Sequence, residues 1–354
     1  ELGLIVLGLT IVMVSGGIDL SVGSTFALAV LATLYGMNVG QWSFGTGLVA
    51  TLGVGLACGA VNGFMVGILR MRAFLTTLVT LIIFRSIFEI VFPQVSTEIV
   101  TSYPDSPLYD YLGMGRFLGT PVTFLVFAVI AIALHIVLSR GRYGWRLLAV
   151  GGARRSAYNA GVNVRLTVFS AYIVCSMMVS LAGFFFASRI GSAASDIGAG
   201  LELQALTATV LGGISLGGGR GSVAKALMGT VFVLILSNSL LQLAVPGPVN
   251  DFVLGLVLVA AVFLDVRWVK NRHKILRSVY ISPTFNKMPP SVSTEAGSPM
   301  APNDRLRQVG VIGLGILDGA EDVIFDRNDN LYTGSRHGDI LRWFPPDYTR
   351  HEVF

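Results

Sequence analysis

One stretch carries the residue types from which a transport site is built: Gly16-Gly17-Ile18-Asp19-Leu20-Ser21-Val22-Gly23-Ser24. It interrupts two strongly apolar runs, residues 2–14 and 25–35. A carboxylate in such surroundings is rare, because an acid at the centre of a membrane helix costs about 2.5–3.5 kcal/mol on insertion scales. Glycines loosen a helix and admit another backbone closely. Two readings follow. Asp19 and Ser21 line a path along a discontinuous helix, or Asp19 caps a helix beginning near Leu20 at an ordinary turn. A second stretch echoes the first: Gly212-Gly213-Ile214-Ser215-Leu216-Gly217-Gly218-Gly219-Arg220-Gly221-Ser222. Gly16 aligns with Gly212, Gly17 with Gly213 and Asp19 with Ser215. Paired glycine-broken apolar segments in two halves of a chain point to a transporter's central site.

The elements that hold these stretches are membrane helices. Of 354 residues 53% are hydrophobic and only 13% charged, and the mean hydropathy is +0.72. Several apolar runs reach about 20 residues, the length of a membrane span. Composition therefore gives an all-α polytopic membrane protein with a short β-rich C-terminal segment. Glu1 opens inside an apolar run, which implies a missing earlier helix. Cys58 and Cys175 lie in apolar runs, against a disulfide framework. The four histidines, His135, His273, His337 and His351, lack metal-ligand spacing. The net charge of +5 lies mostly beside the membrane, which reads as topology rather than nucleic-acid binding.

Along the chain, residues 25–37 look too short to cross, residues 46–69 form a span carrying Asn62, and residues 73–92 form another. Arg85 and Glu89 share a face of that last span at i,i+4, a spacing that suits a packing ion pair. Residues 93–121 are polar and read as an external loop, and residues 122–138 span next. Residues 140–165 carry Arg140, Arg142, Arg146, Arg154, Arg155 and Arg165 with no acid among them, and the positive-inside rule places them in the cytoplasm. Within them Gly151, Gly152, Ala153, Arg154, Arg155, Ala157 and Gly161 mark a short helix-compatible run with glycine at both ends. It docks on an ATPase or is a basic loop near anionic lipid. Residues 166–188, 202–216, 223–243 and 252–264 complete about nine apolar segments, with Pro246-Gly247-Pro248 as a turn. Arg267, Lys270, Arg272 and Lys274 place the following end in the cytoplasm as well.

These segments resemble the permease subunit of bacterial ABC importers for ribose and related monosaccharides. The resemblance rests on the two glycine stretches and on Val61-Asn62-Gly63, Phe74-Leu75-Thr76-Thr77-Leu78, Phe84-Arg85, Arg142-Tyr143-Gly144, Ala149-Val150-Gly151-Gly152 and Ala187-Ser188-Arg189-Ile190-Gly191-Ser192-Ala193. It covers residues 1–268. It implies ten membrane helices, of which the first is absent here, in a bacterial inner membrane. It implies as partners a cytoplasmic ATP-binding subunit, a periplasmic sugar-binding protein and a second permease subunit, with a homodimer expected. It places residues 151–161 as the segment docking on the ATPase, although Arg154 and Arg155 stand where the family often carries acids. Nothing covalent is expected of such a chain, and no cofactor. Residues 217–222 lack a P-loop lysine, so ATP hydrolysis falls to another subunit. An ion-coupled secondary transporter with Asp19 as the coupling carboxylate is the alternative.

Residues 269–304 read as a basic juxtamembrane segment and a Pro/Ser-rich linker. Residues 305–354 carry three short strands, near 322–326, 331–334 and 340–344, which fit one propeller blade. Residues 319–334 resemble the first blade of gluconolactonase-like and strictosidine-synthase-like propellers. That resemblance makes Glu321 a metal candidate weaker than a plain surface acid, and leaves a membrane-anchored lactonase as a remote alternative. One blade cannot close a propeller, which implies that the tail is incomplete or a remnant.

Overall fold

The computed structural model describes residues 1–280, 310–317, 322–335 and 338–354, with backbone alone for 266–280. These divide into two compact units, one ending at Tyr280 and one beginning at Ile281. The expected linker and Glu321 lie outside the described residues.

The first unit is helical. Its axis is α1 (Leu2–Val14), apolar on every side and buried from Gly3 to Val14. A helix without a polar face is stable only when neighbours cover it all round. α9 (Val164–Ile190), α10 (Leu201–Leu211) and α11 (Val223–Gln242) are its main neighbours. Seven helical segments among the described residues are long and apolar enough to cross a membrane, and α1 and α10 are two shorter apolar ones. The expected nine apolar segments are all present.

Several boundaries differ from expectation. α2 (Val22–Leu34) starts earlier than residue 25 and continues as a π-helical turn, Tyr35–Val39. The whole segment spans about 27 Å at 1.5 Å per residue, nearly a full crossing. α3 (Phe44–Gly63) ends in a similar π-turn, Phe64–Ile68. α4 (Ala73–Thr101) runs through Pro93, which lacks one N–H but keeps a helical φ. The expected loop at 93–121 is thus largely structured. α5 (Pro107–Met114) buries Tyr109 against Phe184, and a two-strand ribbon of β1 (Arg116–Phe117) and β2 (Thr120–Pro121) leads into α6 (Val122–Arg140). The expected docking helix is split at the extended Ala153 into α7 (Arg142–Gly152) and α8 (Arg154–Asn159). α12 begins at Gly247, within the expected turn, and continues to Tyr280.

α3 and α9 pack most closely of all. Gly55, Gly59, Gly63 and Gly67 form a four-residue ladder facing α9, and a Cβ added at any of them would come within 2.4–2.7 Å of α9 atoms. Small residues at this spacing let two membrane helices touch backbone to backbone.

The second unit is one antiparallel sheet in sequence order: β3 (Val323–Phe325), β4 (Leu331–Gly334), β5 (Ile340–Trp343) and β6 (His351–Val353). Leu331, Leu341 and Trp343 form its core. β6 is a strand beyond the three expected, and completes a four-stranded blade.

Candidate functional site

α1 ends at a glycine cap. Gly16 takes the left-handed conformation (φ 81°), its N–H bonds Met13 O at 2.9 Å, and Gly17 N–H bonds Val12 O at 3.0 Å. This pair of bonds satisfies carbonyls that a helix end leaves open. α10 ends in the same way. Gly213 has φ 85°, its N–H bonds Val210 O at 2.8 Å, and Ile214 N–H bonds Thr209 O at 3.2 Å. The two glycine stretches are therefore structural equivalents, in a register one residue away from the sequence echo. Gly16 matches Gly213, and Asp19 has no structural match in Ser215.

Beyond Gly16 the chain is irregular for five residues inside a helical bundle, where every backbone polar group needs a partner. Ile18 O accepts from Tyr172 Oη at 3.0 Å and Thr77 Oγ1 at 3.3 Å. Gly16 O accepts from Arg154 Nη2 at 3.4 Å. Asp19 Oδ1 accepts from Ser21 N–H at 2.9 Å and Ser21 Oγ at 2.7 Å. Asn62 Nδ2 donates to Ser21 Oγ at 2.7 Å and more distantly, at 3.5 Å, to Asp19 Oδ1. Thr80 Oγ1 donates to Asn62 Oδ1 at 2.7 Å. Asp19, Ser21, Asn62 and Thr80 are each at most 1% exposed. Asp19 thus braces the turn at Ser21. It makes no side-chain cap on α2, whose N-cap is Ser21.

Of the expected path residues, Gly16, Gly17, Asp19, Ser21 and Asn62 come together in this buried network, in which Asp19 Oδ2 has no hydrogen-bond partner among the described residues. Gly212, Gly213 and Ser215 lie apart. Gly213 and Ser215 line a cavity of about 560 Å³ with Arg220, Lys225 and Asp265, where Ser215 Oγ donates to Asp265 Oδ2 at 3.4 Å. Gly212 packs against the Lys225 backbone. Thr77, Thr80 and Tyr172 belong to the Asp19 network and were not expected there. The signal for the threonines was their four-and-three spacing with Phe84 along one face of α4.

The expected coupling residues meet the same region. Gly219 N–H bonds Val14 O, the end of α1, at 2.9 Å. A Cβ at Gly151 would lie 1.9 Å from that carbonyl oxygen and 2.5 Å from Gly219 N. A Cβ at Gly218 would lie 2.6 Å from Gly16 Cα, and one at Gly219 equally close to Gly152 Cα. Glycines from three remote segments, 16, 151–152 and 218–219, therefore stack backbone on backbone. Arg154 adds its bond to Gly16 O. Ala153 is the extended break, Ala157 is buried, and Arg155 and Gly161 are exposed.

Five residues beyond Thr80 along α4, Arg85 pairs with Glu89 at 3.0 Å, as its spacing foretold. It also donates to Ile197 O at 2.6 Å and Ser195 O at 2.8 Å, tying α4 to residues 191–200. That segment folds back until Gly198 O lies 2.4 Å from where a Gly23 Cβ would stand. α10 accordingly starts within the bundle and runs only about 16 Å.

A bundle of apolar helices with paired, capped breaks at its centre defines a multi-pass membrane permease. A family model described as "branched-chain amino acid transport system / permease component" matches residues 1–262, and the chain belongs to that family. It is 34% identical over 260 residues to the ribose import permease protein of Escherichia coli (strain K12), covering 73% of this chain and 80% of that one. It is 31% identical over 279 residues to the galactofuranose transporter permease protein of the same strain, covering 77% and 80%. It is 36% identical over 265 residues to the autoinducer 2 import system permease protein of Klebsiella pneumoniae subsp. pneumoniae, covering 75% of each. Residues 298–343 are similar to a family described as strictosidine synthase-like, N-terminal. No solved structure matches.

Proposed function

We propose that the chain is the transmembrane subunit of an ATP-driven importer that carries a monosaccharide or related polyol across a bacterial inner membrane. The observation that carries this reading is the three-way glycine contact. It joins the α7–α8 segment directly to the break after α1 and to the loop after α10, so a push on α7 reaches both halves of the bundle. The names of the relatives, two for sugars and one for autoinducer 2, support the cargo class. The partners follow from the same reading: a cytoplasmic ATP-binding subunit against α7 and α8, a periplasmic sugar-binding protein on the opposite face, and a second copy of this chain. Charge supports the orientation. Arg70, Arg72 and the six arginines of 140–165 gather on the α7–α8 face, while Glu98, Asp105 and Asp110 belong to the other. In this reading the Asp19–Ser21–Asn62 network is the polar joint of the broken helix, and the Gly213–Ser215 cavity adjoins its counterpart.

The test is reconstitution of the full chain in vesicles with its ATP-binding and sugar-binding partners, following uptake of labelled monosaccharides. ATP-dependent uptake that is lost in Gly151→Val supports the proposal. Uptake that ignores ATP, follows a proton or sodium gradient and vanishes in Asp19→Asn refutes it in favour of a secondary transporter. Metal-dependent lactone hydrolysis without any uptake would assign the activity to the tail instead.

A further inference from the structure

A cavity of about 460 Å³ opens between the end of α3, α8 and the start of α9. Arg70, Arg154, Arg155 and Arg165 line it above Val66 and Val168, which are 3% and 2% exposed. A second cavity of about 650 Å³ adjoins it and shares Arg70 and Arg165 as its wall. The chain holds no Asp or Glu from Leu20 to Phe88, nor from Tyr111 to Ser195. Arg154 spends one N–H on Gly16 O. Arg70, Arg155 and Arg165 form no ion pair with any described residue. Four like charges around one cavity favour an anion among them, and no described residue supplies one.

We propose that the cavity binds the phosphate of an anionic phospholipid. Its depth argues for lipid. Arg70 follows the end of one membrane-length helix and Arg165 begins another, so the guanidiniums sit at headgroup level above an apolar floor. Leu69 and Leu166, the chain neighbours of Arg70 and Arg165, are more than half exposed, apolar surface that an acyl chain would cover. An acidic protein loop brings carboxylates but no apolar chain for those leucines. Arginine suits the role because its planar fork binds phosphate oxygens in pairs. Basic pockets between membrane helices hold such headgroups in general. Two adjoining basins with a shared arginine wall fit a lipid with two phosphates better than one with a single phosphate. The site depends on the chain's crossing the membrane and not on what it transports.

The test uses the full chain purified in neutral detergent, titrated with phosphatidylglycerol, diphosphatidylglycerol, phosphatidylcholine and inorganic phosphate, with retained lipid read by native mass spectrometry. Diphosphatidylglycerol binds tightest and phosphatidylcholine not measurably. Arg70→Gln with Arg165→Gln weakens the anionic lipids about thirtyfold, taking about fivefold for each basic residue. Arg140→Gln with Arg146→Gln, which removes the same charge outside the cavity, changes binding less than twofold. Circular dichroism confirms that both pairs fold. Equal losses from the two pairs would reduce the effect to general surface charge and overturn the site. Inorganic phosphate displacing the lipid at equal concentration would make it a free-phosphate site. Lipid binding unchanged by the first pair, with the ATP-binding subunit loosened instead, would assign the arginines to an acidic protein partner.

Discussion

Gly151 and Gly152 are neighbours in α7, yet the structure separates their fates. A methyl at Gly151 would lie 1.9 Å from Val14 O and 2.5 Å from Gly219 N. It would sit on the hydrogen bond that joins those two atoms at 2.9 Å. Neither atom can swing aside as a side chain would, since both are backbone. Losing that bond costs about 0.5–1.5 kcal/mol, and the forced shift of packed backbone adds about 1–3 kcal/mol. Gly151→Ala should therefore destabilise by about 2–4 kcal/mol. At Gly152 the nearest heavy atom to an added Cβ is Gly219 Cα at 4.0 Å, an open contact. Gly152→Ala should be neutral, or stabilising by up to about 1 kcal/mol through the helix preference of alanine. Both variants would be measured by thermal unfolding in lipid nanodiscs, followed by tryptophan fluorescence. Uptake in vesicles would be measured beside it. Gly151→Ala as stable as the parent, or Gly152→Ala falling equally far, would refute the backbone stacking.

Three further outcomes follow from the same geometry. Asn62→Leu strips partners from Ser21 and Thr80, and should cost about 1–2 kcal/mol, between the penalty for unpaired buried polar groups and the smaller average seen between membrane helices. Thr80→Val should then add almost nothing in that background, a non-additivity that a double-mutant unfolding cycle reads directly. Arg85→Gln releases the Ser195 and Ile197 carbonyls, so amide exchange across residues 191–200 should accelerate, whereas Glu89→Gln, altering a mostly exposed partner, should leave it unchanged. In the tail, Asp326 Oδ1 accepts from Asn328 N–H at 2.8 Å and Asn330 N–H at 2.9 Å. The Asn330 side chain bonds its other oxygen at 2.8 Å. Those donors, Asn330 foremost, hold the Asp326 carboxyl below its usual range. The turn between β3 and β4 should keep its protection above the ordinary aspartate range near about 4 and lose it only as pH falls through the lower folded value. Asp326→Ala should abolish that protection at neutral pH, as exchange mass spectrometry of the full chain would report.

Much of this fold was legible because membrane helices declare themselves by length and hydropathy. What escaped reading were features set by contact rather than composition. The glycine echo was visible, but aligning Gly16 with Gly212 gave a register one residue off. The cap is fixed by which glycine turns left-handed, and Gly213, not Gly212, does so. Asp19 stood out as a lone acid, yet Asn62, which bonds it, and Thr80, which bonds Asn62, sit on two other helices, and no local spacing links them. The ladder Gly55, Gly59, Gly63 and Gly67 went unread, because a four-residue glycine spacing does not name the helix it meets, here α9. Residues 93–121 looked like a loop because Pro93 and the acids mask a helix that bears only one missing N–H.

The same contrast bears on why irregular backbone persists at the centre of this bundle. A broken membrane helix is tolerable only if its freed groups find partners. Val14 O is met by Gly219, Gly16 O by Arg154, and Ile18 O by Thr77 and Tyr172. Each donor comes from a different segment, so the break after α1 cannot shift without disturbing α4, α9, the α7–α8 segment and the loop after α10. Stabilising the break and coupling it to α7 are consequently one arrangement. The glycines at 151 and 219 serve both, because only their lack of a side chain brings those backbones within bonding reach.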